Sequence, residues 1–575
     1  MRYPVESFTE AERALLSAHC TNLDGPVFAL VGLPEVLKGA LFARYSRYGG
    51  TLRRLLVDEF AEDLPSPPAD SRTGARPSAG AGAHGDGGSG AHGDGGSDAH
   101  GDSGSDAHGG SDAHGVRARR AQQLYERVFV GYGDDSVAQL GGAHLACEWV
   151  SNLLTKILQR PRLAAYLEQS TRYIPYDRPL PDPPGGHRFY RDPELGRDYE
   201  RAMDELFETY SALLSPVAAW ASERFPRAEG EPPAAHERAI RAKALDLLRG
   251  LLPASSLSHV GIYASGQTYE QLILHLLAHP LPEARDYGEM ILAECSRVIP
   301  SFVARVRLPE RGERWIEYLR ARAAAGERWA ARLGLTRERD GQAAGPSVRL
   351  TRVEGDESSL IAALLFEAAA CEEDAIRAAV QELDDRERAR LLGDLLGGRA
   401  NRRHRPGRGL EALRYRFEIV ADYGAFRDLQ RHRMLTVQWQ PLTPDLGAEV
   451  PEEVVAAGGG ERYRRALEVS RDAYERLIAR GLASAAPYAL CLGYRLRFIL
   501  DLNAREAMAL IELRSGREGH PSYRAVAHEM HRQIAAVHPA VAAAMTHVDA
   551  EREPRLERIL AELRSHERQA AAAGG

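Results

Sequence analysis

Gln159-Arg-Pro-Arg-Leu-Ala-Ala-Tyr-Leu-Glu-Gln-Ser-Thr-Arg-Tyr173 is the stretch on which the reading of this chain turns. In an extended segment, side chains two apart share a face, so Glu168, Ser170 and Arg172 project together. A carboxylate, a hydroxyl and a guanidinium on one face can hold a small anion through charge-assisted, bidentate bonds. The same alternation also suits an edge strand with a solvated face. A second stretch far downstream, Arg431-His-Arg-Met-Leu-Thr-Val-Gln-Trp439, reads as the other half of one longer pattern.

At 575 residues the chain exceeds one ordinary core and divides into two or three domains. Its formal charge of -7 argues against a general nucleic-acid binder. The basic run Asn401–Arg408 suits a solvated or cofactor-phosphate loop better than a nucleic-acid module. Five cysteines (Cys20, Cys147, Cys295, Cys371, Cys491) are scattered without paired metal spacing, which predicts buried, inert thiols, no metal centre and a cytoplasmic setting. The first residues lack the pattern of a signal peptide, and no apolar run reaches the length of a membrane span.

The sequence predicts a helix over Pro34–Ser46, then a change of composition. From about Leu64 to Gly115 it is mostly Gly, Ser, Asp, Ala and His, repeating around Ala-His-Gly-Asp. Such a segment has almost no apolar surface to bury, which predicts a disordered insertion over 64–116. Its recurring histidines (His84, His92, His100, His108, His114) suit loose metal binding or no function at all. Helical patterning covers Ala121–Val130 and Ala143–Leu158, ending at Arg160-Pro161. A Pro-rich loop, Arg178–His187, follows. Amphipathic helices are expected over Arg201–Phe225, Ala239–Leu252, Tyr269–His279 and Glu283–Val306. A helical connector spans 308–346. A strand begins at Ser347, helices cover Ser358–Glu372 and Glu373–Leu383, and Tyr415–Val420 alternates like a strand. The Ala-Gly tail, 569–575, is expected to fray.

The halves follow one plan. Gly261-Ile-Tyr-Ala-Ser-Gly-Gln-Thr-Tyr-Glu270, after Arg249-Gly-Leu-Leu-Pro253, corresponds to Phe498-Ile-Leu-Asp-Leu-Asn-Ala-Arg-Glu506, after Ala486-Pro-Tyr-Ala-Leu-Cys491.

These residues resemble the flavin-dependent thymidylate synthase family, whose pattern is Arg-His-Arg-x-x-Ser-x-Asn-Glu-x-Ser-x-Arg-Tyr. The first half has Arg160-Pro161-Arg162 for Arg-His-Arg, with Ala165 and Leu167 for Ser and Asn, then matches at Glu168, Ser170, Arg172 and Tyr173. The second half matches Arg431-His432-Arg433, keeps Thr436 and Gln438 as stand-ins, then departs at Trp439, Pro441, Thr443 and Pro444. Arg249-Gly-Leu-Leu-Pro253 resembles the family's Arg-x-x-Leu-Pro; Asn503-Ala-Arg505 and Leu513-Arg514 resemble its Asn-x-Arg and Leu-Arg. Neither half is complete, yet nearly every element is present once.

The resemblance implies an α+β fold of two tandem thymidylate synthase-like domains, helix-rich with small mixed sheets, over 1–307 and 347–568. It implies sites shared between halves, and two chains forming a homodimeric pseudo-tetramer with two intact and two degenerate sites. It implies dUMP as substrate, held by Glu168, Ser170, Arg172, Tyr173 and Arg249, with Arg514 at the uracil. FAD falls to Arg431, His432, Arg433, His404, Glu411, Asn503 and Arg505, with NADPH and methylenetetrahydrofolate as co-substrates. Arg431 and Arg514 are the catalytic candidates. Asp428 departs from the family, as a carboxylate near a phosphate would repel it, and so does Ala509. A catalytically silent nucleotide- or flavin-binding protein is the alternative.

Overall fold

Two four-stranded sheets repeat one order of strands. The computed structural model describes residues 3–64, 138–180, 185–335 and 345–573. In the first half β1 (Val27–Ala29), β2 (Gly142–Ser151), β3 (Ala164–Glu168) and β4 (Leu257–Ser265) lie in the order β1-β2-β4-β3. In the second, β5 (Ser347–Glu354), β6 (Arg414–Asp422), β7 (Leu435–Trp439) and β8 (Arg495–Asn503) lie in the order β5-β6-β8-β7. Every pairing is antiparallel, so the sheets are not mixed as expected. β2 and β3 are both antiparallel to β4, and β6 and β7 to β8, so in each half the chain crosses back over the sheet between those two strands, which run in the same direction.

The helices that place the site are α1 (Glu35–Tyr45), α2 (Asn152–Leu158), α3 (Gly196–Arg224), α4 (Pro233–Leu248), α5 (Gly266–Ala278), α6 (Pro282–Val298) and α7 (Arg314–Arg332) in the first half. In the second they are α8 (Tyr423–Leu429), α9 (Gly460–Ala479), α10 (Ala504–Arg514), α11 (Pro521–Val537) and α12 (Ile559–Ala573). Their N-caps repeat the plan. Ser151 caps α2 and Asp422 caps α8; Ser265 caps α5 and Asn503 caps α10. Each side-chain oxygen satisfies a backbone N–H that the first helical turn leaves free. The long helices repeat too: Gly196, Tyr199, Ala202, Tyr210 and Leu213 recur at identical spacing as Gly460, Tyr463, Ala466, Tyr474 and Leu477.

The halves meet about a pseudo-two-fold axis at Pro253 and Cys491, which form a backbone bridge. Leu492 N–H donates to Leu252 O at 2.9 Å, and its symmetry mate Ala254 N–H donates to Leu490 O at 2.7 Å. The apolar residues around this junction belong to one continuous core. Glu283, buried on α6, ties the halves further: it accepts from Ser151 N–H (2.8 Å), Ser151 Oγ (2.6 Å) and Tyr488 Oη of the second half (2.6 Å). Burial pushes its carboxyl up to about 7 against the pull of those hydrogen bonds. A raised folded pKa gives stability that is present at low pH and lost as pH rises through 7, worth about 3 kcal/mol at most. Thermal melts of Glu283→Gln are therefore expected to be flatter between pH 5 and pH 8 than those of the parent. Equal pH slopes would refute this.

Several expectations are corrected. Ala143–Leu158 is not one helix but β2 followed by α2; β2 is a central strand buried on both faces, so its residues run apolar without alternating. Within β2 a bulge falls between Cys147 and Val150, where Trp149 has φ 56°. The stretch from Gln159 is extended only over β3. Ser170 then opens a turn, accepting from Tyr173 and Ile174 N–H at 3.2 Å, while its Oγ accepts from Arg172 N–H at 3.2 Å. Glu168, Ser170 and Arg172 therefore do not share a strand face. The connector is helical, but α7 packs on α5, with Ile316 and Leu319 buried and Arg320 bonded to Leu277 O. The tail continues α12 to Ala573, as alanine favours helix more than any other residue. Cys371 is exposed, whereas the other four thiols are buried. The expected insertion and the helix over Ala121–Val130 lie outside the described residues, apart from Leu64. Among the described residues no helix is long and apolar enough to cross a membrane.

Candidate active site

Glu168 ends β3 with its carboxylate 1% exposed, where water cannot screen it. Four groups answer it. Lys156 Nζ lies at 2.9 Å and Gln159 Nε2 at 3.0 Å, both from the first half. Arg427 Nη2 at 2.6 Å and Arg431 Nη2 at 3.0 Å come from the second. Lys156 on α2 and Arg427 on α8 hold equivalent places in the two halves, four residues before Arg160 and Arg431. Burial alone would raise the Glu168 pKa, but Lys156, Arg427 and Arg431 outweigh it and hold the carboxyl well below its usual range. Burial in turn lowers Lys156 to about 8.

A second layer of pairs adjoins this one. Arg172 forks onto Asp246, with Nε at 2.7 Å and Nη2 at 2.6 Å, and reaches the second half through Tyr523 Oη (2.9 Å) and Glu518 O (3.2 Å). Arg249 Nη1 donates to Asp428 at 3.1 Å, and Asp422 stands 3.8 Å from its Nη2. Asp428 also lies 3.7 Å from Arg431. Burial opposes its charge, yet Arg431, Arg249, Arg514 and Arg172 together keep it far below the carboxylate range. The departure noted at Asp428 is therefore a built feature: this carboxylate is a counter-ion for Arg249.

His432 links two elements. Its Nδ1 lies 3.0 Å from Glu506 on α10, and Arg514 Nε donates to its Nε2 at 3.0 Å. An arginine Nε–H can only donate, so Nε2 accepts, Nδ1 carries the proton toward Glu506, and the ring is neutral. Burial, with Arg514 nearby, lowers its pKa against the pull of Glu506. Arg514 and Arg172 lie over the ring of Tyr523, at 5.5 and 5.8 Å from its centroid.

These groups border a cleft of about 240 Å³ whose wall comes from both halves, Tyr166, Glu168, Ser170 and Tyr173 facing Arg431 and Arg433. Arg433 lies over Tyr166 (5.3 Å) and Arg47 over Tyr173 (4.8 Å). Neither Arg433 nor Arg47 has a carboxylate partner among the described residues. The cleft thus offers uncommitted guanidinium groups beside aromatic rings, a setting for an anion that carries a flat ring.

Eight expected residues do not line it: Arg172, Arg249, His432 and Arg514 lie in the pairs just described, and Asn503, Arg505, Glu411 and His404 hold other elements. Asn503 spends its side chain capping α10 through Glu506 N–H (2.9 Å), which fixes the partner of His432. Arg505 binds Pro406 O (3.0 Å) and Glu411 (3.4 Å), clamping the loop before β6. His404 is exposed and pairs with Asn401. Sequence reasoning missed Lys156, Arg427, Asp246 and Tyr523. For the first two a signal existed, a basic residue at the same place in each half. Asp246 and Tyr523 carry no such mark.

A family model described as thymidylate synthase complementing protein matches residues 99–301 and 353–540. A UPF0159 protein of Chlamydia muridarum is 35% identical over 563 residues, covering 94% of this chain and 96% of the relative. A UPF0159 protein of Thermoplasma acidophilum is 30% identical over 478 residues, covering 78% and 93%. Among solved structures, a UMP/dUMP methylase, PolB, from Streptomyces cacaoi bound with 5-Br dUMP is 21% identical, with a TM-score of 0.29, covering 35% of this chain and 95% of that one. This chain belongs to the thymidylate synthase complementing protein family, the flavin-dependent thymidylate synthases. It carries the family's match twice, in tandem.

Proposed function

We propose that this protein is a flavin-dependent thymidylate synthase that methylates dUMP to dTMP, with methylenetetrahydrofolate as carbon donor and NADPH as reductant. Its working site would be the cleft between the halves. The observation that carries the reading is the pairing of Glu168 with Arg431 at 3.0 Å, which joins the motif halves each copy retains. FAD suits the cleft: Arg431 and Arg433 offer donors to its pyrophosphate, and Tyr166 and Tyr173 offer rings to its flat groups. When bound, FAD supplies the hydride transfer.

The chain's own residues position and polarise. Glu168 anchors Arg431 at the cleft wall, and Glu506 fixes His432, which orients Arg514. Arg514 has no carboxylate of its own in this chain of bonds, so it is free to stabilise negative charge as a uracil ring is activated. Ser170 lines the cleft, while Arg172 and Arg249, the ligands for the nucleotide phosphate in this reading, do not reach its wall, and Arg249 borders the neighbouring cavity. Cations outnumber carboxylates across this cluster, which favours an incoming dianion. By the same reading two chains associate as a homodimer, a pseudo-tetramer of four domains.

A second reading is favoured by Asp246 and Asp428, which already occupy the forks of Arg172 and Arg249. It makes the protein a binding protein for nucleotide or flavin without turnover. The purified protein is expected to be yellow, its flavin spectrum shifting on addition of dUMP, and to form dTMP when NADPH and methylenetetrahydrofolate are supplied. Binding without dTMP selects the second reading. If neither flavin nor dUMP binds at micromolar concentration, both readings are wrong.

A further inference from the structure

A cavity of about 630 Å³ lies between the halves and shares no lining residue with the cleft. Leu247 and Gly250 of the first half face Asp422, Glu449, Tyr463 and Val526 of the second. The duplicated plan contains the same place a second time, with different contents. The bridge Phe189–Ser256 recurs as Ala448–Tyr494, and the bond from Leu257 N–H to Arg188 O recurs as that from Arg495 N–H to Gly447 O. Tyr190 and Glu449 are therefore equivalent positions. Aligning the two turns on Pro253 and Cys491 makes Tyr488 equivalent to Gly250, and the register of α3 on α9 makes Tyr199 equivalent to Tyr463.

The first copy of this place is full. Tyr190 from that half stacks on Tyr488 from the other, with centroids 4.7 Å apart and planes at 23°. Tyr488 Oη donates to the carboxylate of Glu283 at 2.6 Å, and Tyr199 Oη donates to Tyr190 O at 2.9 Å. In the second copy both rings are gone, replaced by Glu449 and Gly250, and the space stays open. Gly250 cannot carry a side chain, since its Cβ would come within 2.2 Å of the Tyr463 hydroxyl. That hydroxyl, on a residue 1% exposed, makes no hydrogen bond to another described residue. The hydroxyl–carboxylate pair is kept with its members exchanged: Ser151 and Glu283 in one copy, Asp422 and Ser522 in the other. A carboxylate thus still stands at the donor end of the missing ring.

We propose that this cavity is a second small-molecule site, taking an uncharged aromatic ring that bears a hydrogen-bond donor, a phenol or an arylamine. The ring replaces the stacked tyrosines against Leu247 and Val526, and its donor meets Asp422 and Tyr463. The Tyr463 hydroxyl is left free to bond a ligand, and apolar walls with a few convergent polar groups are what small-molecule sites offer. Asp246, Asp422, Glu449, Glu452, Glu453 and Glu529 line the space against only two arginines, Arg249 and Arg495, both already paired with carboxylates, so a phosphate-bearing ligand is disfavoured. Arg249 and Asp246, which belong to the pairs beside the cleft, also line this cavity, so the site adjoins the nucleotide chemistry proposed above without sharing the cleft itself.

Saturation-transfer NMR on the full chain with p-cresol, the free equivalent of the Tyr488 side chain, tests this. Saturable binding on the order of 1 mM is expected for so small a ligand, with none for 4-methylbenzoate and no displacement by dUMP. Glu449 has a side chain 67% exposed and pairs with Arg495 at 3.2 Å; Glu449→Tyr restores the ring of Tyr190 and is expected to abolish binding. Tyr463→Phe removes no hydrogen bond and is expected to weaken binding about fivefold, which keeps the test valid if Glu449→Tyr fails to fold. No saturable signal, equal binding of 4-methylbenzoate, displacement by dUMP, or p-cresol binding unchanged in both variants would each overturn the proposal.

Discussion

Glu168→Gln is expected to lower the stability of this chain by about 3–5 kcal/mol, although glutamine has nearly the shape of glutamate. The carboxylate is the common counter-ion of Lys156, Arg427 and Arg431, at 2.9, 2.6 and 3.0 Å. An amide removes the charge but leaves the cations, two of them on nearly buried side chains, facing one another. Because the Glu168 pKa is depressed, the parent should lose the same stability as pH falls below about 4.5, the ordinary value for a glutamate. The variant should be less stable at neutral pH and change less on acidification. Chemical denaturation at pH 7 and pH 4 measures both. A loss under about 1 kcal/mol at pH 7 would mean that the cations relax into water, and that the cluster is less tightly built than its distances.

Arg431→Ala and Arg172→Ala should each reduce dUMP-dependent formation of dTMP by two to three orders of magnitude, the usual effect of removing one preorganised charged donor. The two residues lie in different halves, so equal severity is the informative result. Each loss also leaves a carboxylate short of a partner, Glu168 or Asp246, though Glu168 keeps Lys156 and Arg427. Arg431→Lys separates the roles: it keeps a charge near Glu168 but not the planar fork, so folding should persist while activity falls. The first half expressed alone should have no activity. An isolated half that turns over at the full rate would refute a site built by both.

The duplication was legible as a pattern of spacing, and the division of the motif between halves was legible through its resemblance to the family's pattern. Glu168 and Arg431, far apart in the chain, do meet within hydrogen-bond distance. Three features were not legible, each for a physical reason. Strand β2 reads as helix because a strand buried on both faces loses the alternation that marks an amphipathic one. The turn at Ser170 depends on its hydroxyl accepting from the backbone N–H of Arg172, which competes with extended structure and leaves no periodic trace. The counter-ions Asp246 and Asp428 are tertiary partners of Arg172 and Arg249, and sequence distance conceals such pairs. The expected roles of His404, Glu411, Asn503 and Arg505 rested on resemblance, and here those side chains cap or clamp the elements around the cleft.

That Glu168 and Arg431 meet within a single chain has a consequence in mass action. Where two sides of a pocket belong to separate molecules, dilution empties the pocket before it unfolds either molecule. Here both sides are covalently one, and their effective concentration is set by the chain rather than by the cell. Glu168 and Arg431 should therefore stay engaged at protein levels far too low to sustain an encounter between free halves.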